Sequence, residues 1–304
     1  MLARFLMATA ILCSLNSWSF GKSYRELFPD RAYKSREVQA LLERLDYKQG
    51  SVLLESVAIT LNVPGGFYFL SAKDAVPVLT ELWGNPASAA TGILGMILPS
   101  SATPVDGTWG AVVSFDTDGY VSDDDAANIN YSELLEEMKA GTEAVNAERA
   151  KQGFAAIRLI GWASPPFYDK ATHKLHWAKE LEFGGEPNHT LNYDVRALGR
   201  HGVLKMNFVA EIGDLAAIKR VIPTVMAMPS FEHGSRYEDY LPGVDKVAAY
   251  GIGGLITGKV LAKAGLLALG LAFLKKGWIL IVVAIAALLG SIGKLFGKNA
   301  RRRA

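Results

Sequence analysis

The distribution of acidic residues constrains this chain more strongly than any other feature. All 30 of them lie between Glu26 and Asp245, and none follows in the apolar stretch that closes the sequence. Residues 5–258 combine these 30 acids with 22 of the 32 basic residues, so their net charge is −8. Because an acidic domain lacks the basic patch that binds phosphate backbones, we expect no nucleic-acid partner. An acidic domain followed by a basic, apolar end is typical of a membrane-anchored protein.

The most apolar part of that end is residues 278–292, which carry no charge. At about 1.5 Å per residue, a helix of this length is short for a hydrocarbon layer about 30 Å thick. Flanking lysines that extend to the lipid surface, and Trp278 at the interface, can complete the span. The pattern predicts a transmembrane helix over residues 277–293 and a basic tail over residues 294–304.

The preceding segment, residues 247–276, is apolar and rich in glycine but includes Lys259 and Lys263. Each lysine costs on the order of 3 kcal/mol at the bilayer centre. A second span would also place the terminal arginines outside, against the positive-inside rule. We therefore favour a membrane-proximal segment that lies along the interface or packs against it. The sequence alone leaves open whether it spans, re-enters or lies flat.

The first 21 residues have the order of a secretory signal peptide: a basic residue, an apolar core, then small and polar residues. Cleavage after Ser19 and cleavage after Gly21 fit equally well, and an uncleaved anchor is the alternative. The single cysteine, Cys13, lies in this peptide. A cleaved chain would therefore have no thiol for a disulfide, a nucleophile or a metal site.

Between the two ends, the periodicity predicts an α+β fold, a mainly antiparallel sheet with helices packed on one face. An N-terminal subdomain is expected over residues 22–104. It begins with a helix that Ser35 caps and Gly50 ends. A hairpin follows, with strands at residues 57–63 and 67–70.

A second helix of this subdomain is predicted from a capping box formed by Ser71 and Asp74. The helix reaches Trp83, and Pro77 is expected to kink it or delay its start. Small residues at positions 87–106 then mark a boundary, although a loop inside one domain fits equally well.

The main extracytoplasmic domain is expected over residues 105–246. A strand at residues 109–115 precedes a helix that Asn130 and Glu133 cap, and a last helix starts at Asp214 and is bent by Pro223. Between these helices, alternating side chains predict mostly antiparallel strands at residues 157–162, 167–169, 174–183, 190–197 and 203–210.

Four stretches carry a family resemblance: WGAVVSFDTDGYVSDDDA, GWASPPFYDKATHKLHWAKEL, TLNYDVRALGRHGVLKMNFVA and DKVAAYGIGGLITGKVLAKAG. They resemble DUF2167, a bacterial domain-of-unknown-function family of predicted membrane-anchored proteins, over roughly Tyr24 to the C-terminus. The resemblance implies bacterial origin and membrane anchoring, and it transfers no activity, cofactor or catalytic residue. More loosely, the strand–strand–helix order from Tyr193 to Phe231 is similar to small α/β/α domains of photosystem and periplasmic accessory proteins.

An acidic cluster is the first candidate site. Its carboxylates could coordinate calcium, and residues 116–119 begin like a calcium loop. No glutamate follows at the required spacing, so we favour a hairpin turn and then a helical turn capped by Ser122, with acids at its positive end. The cluster comprises Asp116, Asp118, Asp123, Asp124 and Asp125.

Two histidines and two glutamates, His173, His176, Glu180 and Glu182, are candidate metal ligands. On a helix, His176 and Glu180 would share a face and could hold zinc. The alternation over residues 174–183 predicts a strand instead, in which positions four apart are separated by about 13 Å. We therefore expect His176, Glu180 and Glu182 on the wetter face of a sheet.

No nucleophile elbow, two-histidine zinc motif or phosphate-binding glycine loop occurs in the sequence. Gly251, Gly253 and Gly254 are interpreted as packing glycines. No catalytic, cofactor-binding or metal-binding residue is therefore assigned. A last cluster is interpreted as a rigid, packed loop rather than a peptide- or glycan-binding shelf: Trp162, Pro165, Pro166, Phe167 and Tyr168.

The leading hypothesis is a non-enzymatic, single-pass protein of the bacterial inner membrane whose periplasmic domain is a binding or interaction module. Membrane lipid is the expected partner, with other envelope proteins as a second candidate. The alternatives are a cell-envelope enzyme, such as a hydrolase, and an assembly factor acting through the apolar C-terminal region. Convergence of four side chains in one deep pocket would favour the enzyme: His176, Glu180, Asp194 and Arg196.

Overall fold

The computed structural model describes residues 20–85, 87–151 and 155–258. The predicted transmembrane helix at 277–293 and the tail at 294–304 lie outside these ranges, as do most of the predicted signal peptide and residues 259–276. Within the described ranges, no helix has both the length and the apolar character needed to cross a membrane.

The described chain forms one 11-stranded sheet, in the order β11-β3-β2-β4-β5-β6-β10-β9-β8-β7, with β1 paired to β2. Neighbouring strands are antiparallel, which confirms the predicted α+β class and sheet type. The strands are β1 (Phe20–Lys22), β2 (Tyr47–Leu54), β3 (Ile59–Val63), β4 (Phe67–Ser71), β5 (Ile93–Pro99), β6 (Gly110–Asp116), β7 (Ile157–Asp169), β8 (Lys174–Phe183), β9 (Thr190–Gly199), β10 (Gly202–Glu211) and β11 (Pro229–Phe231).

Helices cover both faces of this sheet, so the expectation that they pack on one face is wrong. On one face, called the α5 face, Ile218, Ile222 and Val225 of α5 pack against buried side chains of β8, β9 and β10. The opposite face, called the α4 face, is covered by α1, α2 and α3 at one end and by α4 and α6 at the other. The helices are α1 (Tyr24–Leu27), α2 (Arg36–Arg44), α3 (Ala72–Pro77), α4 (Tyr131–Lys151), α5 (Leu215–Ala227) and α6 (Ile252–Thr257).

The predicted hairpin between β3 and β4 is wrong, because β2 lies between them in the sheet. β3 pairs with β2 from Ile59 to Val63, and β4 meets β2 through Lys48 and Phe69. β2 itself escaped prediction because Gln49, Gly50 and Ser51 interrupt its apolar pattern. Gly50 therefore lies within a strand rather than at the end of a helix.

Of the two helix caps predicted in the N-terminal region, one is confirmed and one is wrong. Ser35 caps α2 by accepting from the amide of Val38, as predicted, and the helix ends at Arg44. The Ser71 hydroxyl donates to the Asp74 carboxylate at 2.8 Å and caps no backbone amide, so the predicted capping box is wrong. Beyond Pro77, the backbone widens into a single π-helical turn over Val78–Leu82, consistent with the expected irregularity.

Two predicted loops are strands. β5 lies within residues 87–106 and pairs with β4 and β6, so the two predicted subdomains contribute to one sheet. The aromatic and proline cluster belongs to β7, a strand at the sheet edge with several register shifts opposite β8. Proline lacks an amide donor but is tolerated in an edge strand with bulges. Phe167 is 57% exposed there, so it does not pack in a loop.

The helices predicted in the second half of the sequence are present. The Asn130 side chain caps α4 by accepting from the amides of Ser132 and Glu133, at 3.1 and 3.3 Å. α5 follows Asp214 and contains Pro223. It buries Ile218, Ile222 and Val225 against the sheet.

Candidate functional site

A row of polar side chains crosses the middle of the α4 face. The register places Lys179 opposite Asn192, Asp194 opposite Asn207, and Arg196 opposite Lys205. Opposite residues of antiparallel strands share a face, so β8, β9 and β10 bring these six side chains together. This polar row consists of Lys179, Asn192, Asp194, Arg196, Lys205 and Asn207.

Asp194 is the centre of the row and is 2% exposed. One carboxylate oxygen, Oδ1, accepts from Nη2 of Arg196 at 2.7 Å and from Nδ2 of Asn207 at 2.9 Å. The other, Oδ2, lies 3.3 Å from Nζ of Lys179. The guanidinium of Arg196 also lies 5.0 Å from the ring centroid of Trp177, a cation–π distance. The carboxylate is thus enclosed by donors.

Electrostatics keep Asp194 ionised. Burial by itself would raise the pKa of the Asp194 carboxyl, but the charges of Arg196 and Lys179 and the hydrogen bond from Asn207 oppose it, and the pKa is lowered. A general acid or base that works near neutral pH needs a pKa shifted toward that range. The row is therefore suited to holding three strands together, and not to proton transfer.

His176 and Glu180, the other two residues of the predicted pocket, lie on the opposite face of β8. Nδ1 of His176 is 2.9 Å from the hydroxyl of Tyr193, and burial together with the charge of Lys219 lowers the pKa of His176. Glu180 contacts His189 at 2.5 Å. The four side chains that would have favoured an enzyme therefore separate into two groups, with the sheet between them.

The predicted acidic cluster does not converge either, because each carboxylate has a different partner. Asp116 pairs with Lys205, Asp118 accepts from Tyr250, Asp123 accepts from Tyr168, and Asp124 accepts from Ser122. Within the described ranges, no group of three or more candidate ligands is arranged to hold a metal ion. The fifth carboxylate, Asp125, accepts hydrogen bonds from backbone amides at the start of α6.

Asp125 fixes the start of α6 to the domain. Its two carboxylate oxygens accept from the amides of Ile252 and Gly253, at 2.8 and 3.0 Å. A Cβ on Gly251 would lie 2.5 Å from the same carboxylate, so this close approach requires glycine. The contact agrees with the interpretation of Gly251 as a packing residue. Ile252 and Ile256 are then almost completely buried.

The segment before α6, residues 232–251, is called the strap and crosses the end of the sheet. Four rings stack in a line along it, with centroids separated by 4.0, 4.5 and 3.9 Å, in the order His173, Tyr237, Tyr120 and Tyr240. His173 adopts φ +51°, a left-handed conformation that is uncommon for residues other than glycine. The stacked rings therefore attach the strap to the domain in addition to its hydrogen bonds.

A comparison of the sequence with models of protein families finds a match over most of the chain. The family model described as a protein of unknown function, DUF2167, matches residues 46–286. The chain belongs to the DUF2167 family. This confirms the family resemblance, while the membrane anchoring that it implies stays a prediction.

No curated protein matches this DUF2167 chain. A solved structure that is similar to it is the solution structure of cyanobacterial PsbP (CyanoP) from Synechocystis sp. PCC 6803. The identity is 12%, the alignment covers 60% of this chain and 91% of that chain, and the TM-score is 0.34. Similarity at this level transfers no function.

Sequence reasoning on this DUF2167 chain missed the strap and its partners. Arg200, for example, donates from Nε and Nη2 to the two oxygens of Asp245, at 2.7 and 2.9 Å. Such partners lie far apart along the chain, so local sequence patterns do not predict their contact. An available signal was the run of tyrosines at positions 237, 240 and 250 in a segment with no apolar periodicity.

The α6 contact leads to a first prediction. We expect Asp125→Ala to loosen α6 and to lower the free energy of unfolding by about 1–2 kcal/mol, because two amides lose their acceptor. Hydrogen exchange should accelerate at the amides of Ile252 and Gly253. Asp124→Ala is the control, since the Asp124 carboxylate accepts from nearby Ser122 and not from α6 within the described residues. Equal protection in both variants would contradict the assigned role.

Proposed function

We propose that this protein is an exported, membrane-anchored envelope protein whose acidic sheet domain acts as a binding module beside the lipid surface. The observation that supports this best is the docking of α6. Leu255 is 9% exposed and Ile256 is 2% exposed, so the chain is held on the domain until α6 ends at Thr257. The acid-free apolar sequence continues directly from there. An anchor joined in this way would hold the domain close to the membrane.

The polar chemistry of the described residues favours binding over catalysis. Within the polar row, Lys179 and Arg196 pair with Asp194, whereas Lys205 pairs with Asp116 outside the row. The two remaining candidates, His176 and Glu180, lie on the other face of the sheet, where they contact Tyr193 and His189. Lys174 has a pKa lowered by burial, but its ammonium donates to the carbonyls of Met226 and Pro229. Lys174 therefore joins β8 to the end of α5. Each of these charged groups therefore has a partner within the domain.

Fractionation of bacterial cells tests the anchor and the topology. The complete chain is expected in washed membranes, with its domain digested when protease is added to spheroplasts. A chain ending at Gly258, which keeps α6 and its Asp125 contact, is expected in the soluble periplasmic fraction. A cytoplasmic marker protein that stays intact controls for lysis. Retention of the shortened chain in washed membranes, or protection of the domain from protease, would overturn the proposal.

A further inference from the structure

Three of the five most exposed large apolar side chains of the described domain lie in one turn of the strap. Leu241, Val244 and Val247 are 49%, 76% and 50% exposed. Among the described residues, only two other large apolar side chains are comparably exposed, Leu53 at 53% and Phe167 at 57%. Apolar side chains grouped in this way mark a surface that contacts an apolar partner. We call residues 241–247 the apolar turn.

The apolar turn has a defined conformation despite its exposure. The amides of Val244 and Asp245 donate to the carbonyl of Leu241, at 3.1 and 3.0 Å. Gly243 supplies a φ of +77°, which glycine adopts without steric cost. The Asp245 carboxylate accepts from the Leu241 amide at 2.7 Å. Because these bonds already hold the backbone, binding would require little loss of conformational entropy.

The charge of the turn is compatible with a lipid surface. Asp245 is its single acidic residue, and it points inward to the guanidinium of Arg200, whose hydrogen bonds lower the pKa of the Asp245 carboxyl. The outward side chains are apolar, and the exposed Lys246 carries a positive charge beside them. Anionic lipid headgroups attract basic residues and repel unpaired acids.

The position of the turn along the chain identifies its partner. Val247 pairs with Tyr120, and α6 starts five residues later and rises about 9 Å over its length. The chain therefore leaves the domain within about 30 Å of the turn. The sequence that follows is the acid-free apolar region predicted to enter the bilayer.

We propose that the apolar turn inserts Leu241, Val244 and Val247 into the interfacial layer of the same bilayer that holds the C-terminal segment. The turn is then a second contact, which sets the orientation of the domain on the membrane. This inference rests on the proposed membrane anchoring. A second copy of the chain and a protein partner are the competing occupants.

A fluorescent label on the turn tests the proposal in the complete chain. With Cys13 changed to Ser, Val244→Cys carries an environment-sensitive nitrobenzoxadiazole label, and the protein is reconstituted into vesicles of phosphatidylethanolamine and phosphatidylglycerol. We expect a blue-shifted emission, and quenching by lipids with a nitroxide near the headgroup that is about two-fold or more stronger than for the control. The control is Leu53→Cys, whose position in β2 is similarly exposed but lies outside the turn.

The outcomes separate the possible partners. Equal quenching at both positions overturns the proposal. A blue shift that depends on protein concentration and not on the lipid quencher indicates a second copy, and it also overturns the proposal. If the protein does not sediment with the vesicles at all, the proposed anchoring itself fails. Sedimentation without quenching at Val244 contradicts only the role of the turn.

Discussion

Replacing Asp194 by Asn is expected to lower the free energy of unfolding by about 3–5 kcal/mol, the range observed when one partner of a buried ion pair is removed. The asparagine would keep the shape of the side chain and lose its charge. Arg196 and Lys179 would then remain beside a neutral group in a site that is almost closed to water. Burying charge without a counter-charge is costly, because the protein does not replace the lost hydration.

Urea denaturation of the chain ending at Gly258, followed by tryptophan fluorescence, measures this effect. The control is Glu43→Gln, which removes an ion pair with Arg25 whose side chains are 70% and 39% exposed. Exposed pairs contribute about 0–1 kcal/mol, so the control should stay near the wild type. A change of less than 1 kcal/mol for Asp194→Asn would show that the polar row does not stabilise the sheet.

The same variant should alter the response of the domain to acid. Because the folded pKa of Asp194 is lower than its unfolded value of about 3.9, the carboxylate stabilises the fold fully above that pH. This stabilisation is lost as the pH falls below about 4 through the folded pKa. Asp194→Asn should therefore lack this part of the acid-induced loss, and its stability should fall less steeply than that of the wild type.

Gly119→Ala is expected to lower the free energy of unfolding by about 2–4 kcal/mol, the second large effect. Gly119 has a φ of +104°, which side chains rarely adopt, and an added Cβ would lie 2.3 Å from the carbonyl oxygen of Lys246. That carbonyl accepts from the Tyr120 amide at 2.8 Å. The clash would therefore push the strap away from the sheet at the point where the two are hydrogen-bonded.

Gly107→Ala is the matched control for Gly119→Ala. Gly107 also has a positive φ, +67°, but an added Cβ would meet nothing within 4 Å. Its cost should be about 1 kcal/mol from backbone strain alone. Hydrogen exchange gives a second measurement, because the amides of Tyr120 and Ala248 should lose protection only in Gly119→Ala. Equal losses of stability in both variants would mean that the contact with Lys246 contributes nothing.

Local patterns predicted some elements of this fold closely and missed others, for physical reasons. β8 begins at Lys174 and ends at Phe183, as predicted, because its side chains alternate clearly between two environments. β2 has no such alternation and was missed. Asp194 and Arg196 are two positions apart in a strand, which indicates that their side chains share a face. Their partners on β8 and β10 depend on the pairing register between strands, which the sequence of β9 alone does not determine.

Local patterns did not predict how the strap and α6 dock on the sheet, because their contacts join distant parts of the chain. The Tyr250 hydroxyl donates to Asp118 across 132 positions, and the Ile252 amide donates to Asp125 across 127. No periodicity reports such pairs. The polar candidates likewise had the right residue types for a site, but most of them stabilise the fold.

The late position of the strap in the sequence has a consequence for synthesis. The ribosome completes every strand of the described sheet before it makes the strap and α6, which cover Tyr120, His173 and Asp125. A nascent chain that has reached only Phe231 contains all the described strands, while these side chains still face water or a chaperone. Ordering of this end of the domain must therefore wait for the last described residues, so the final folding step and the emergence of the apolar C-terminal sequence fall close together in time.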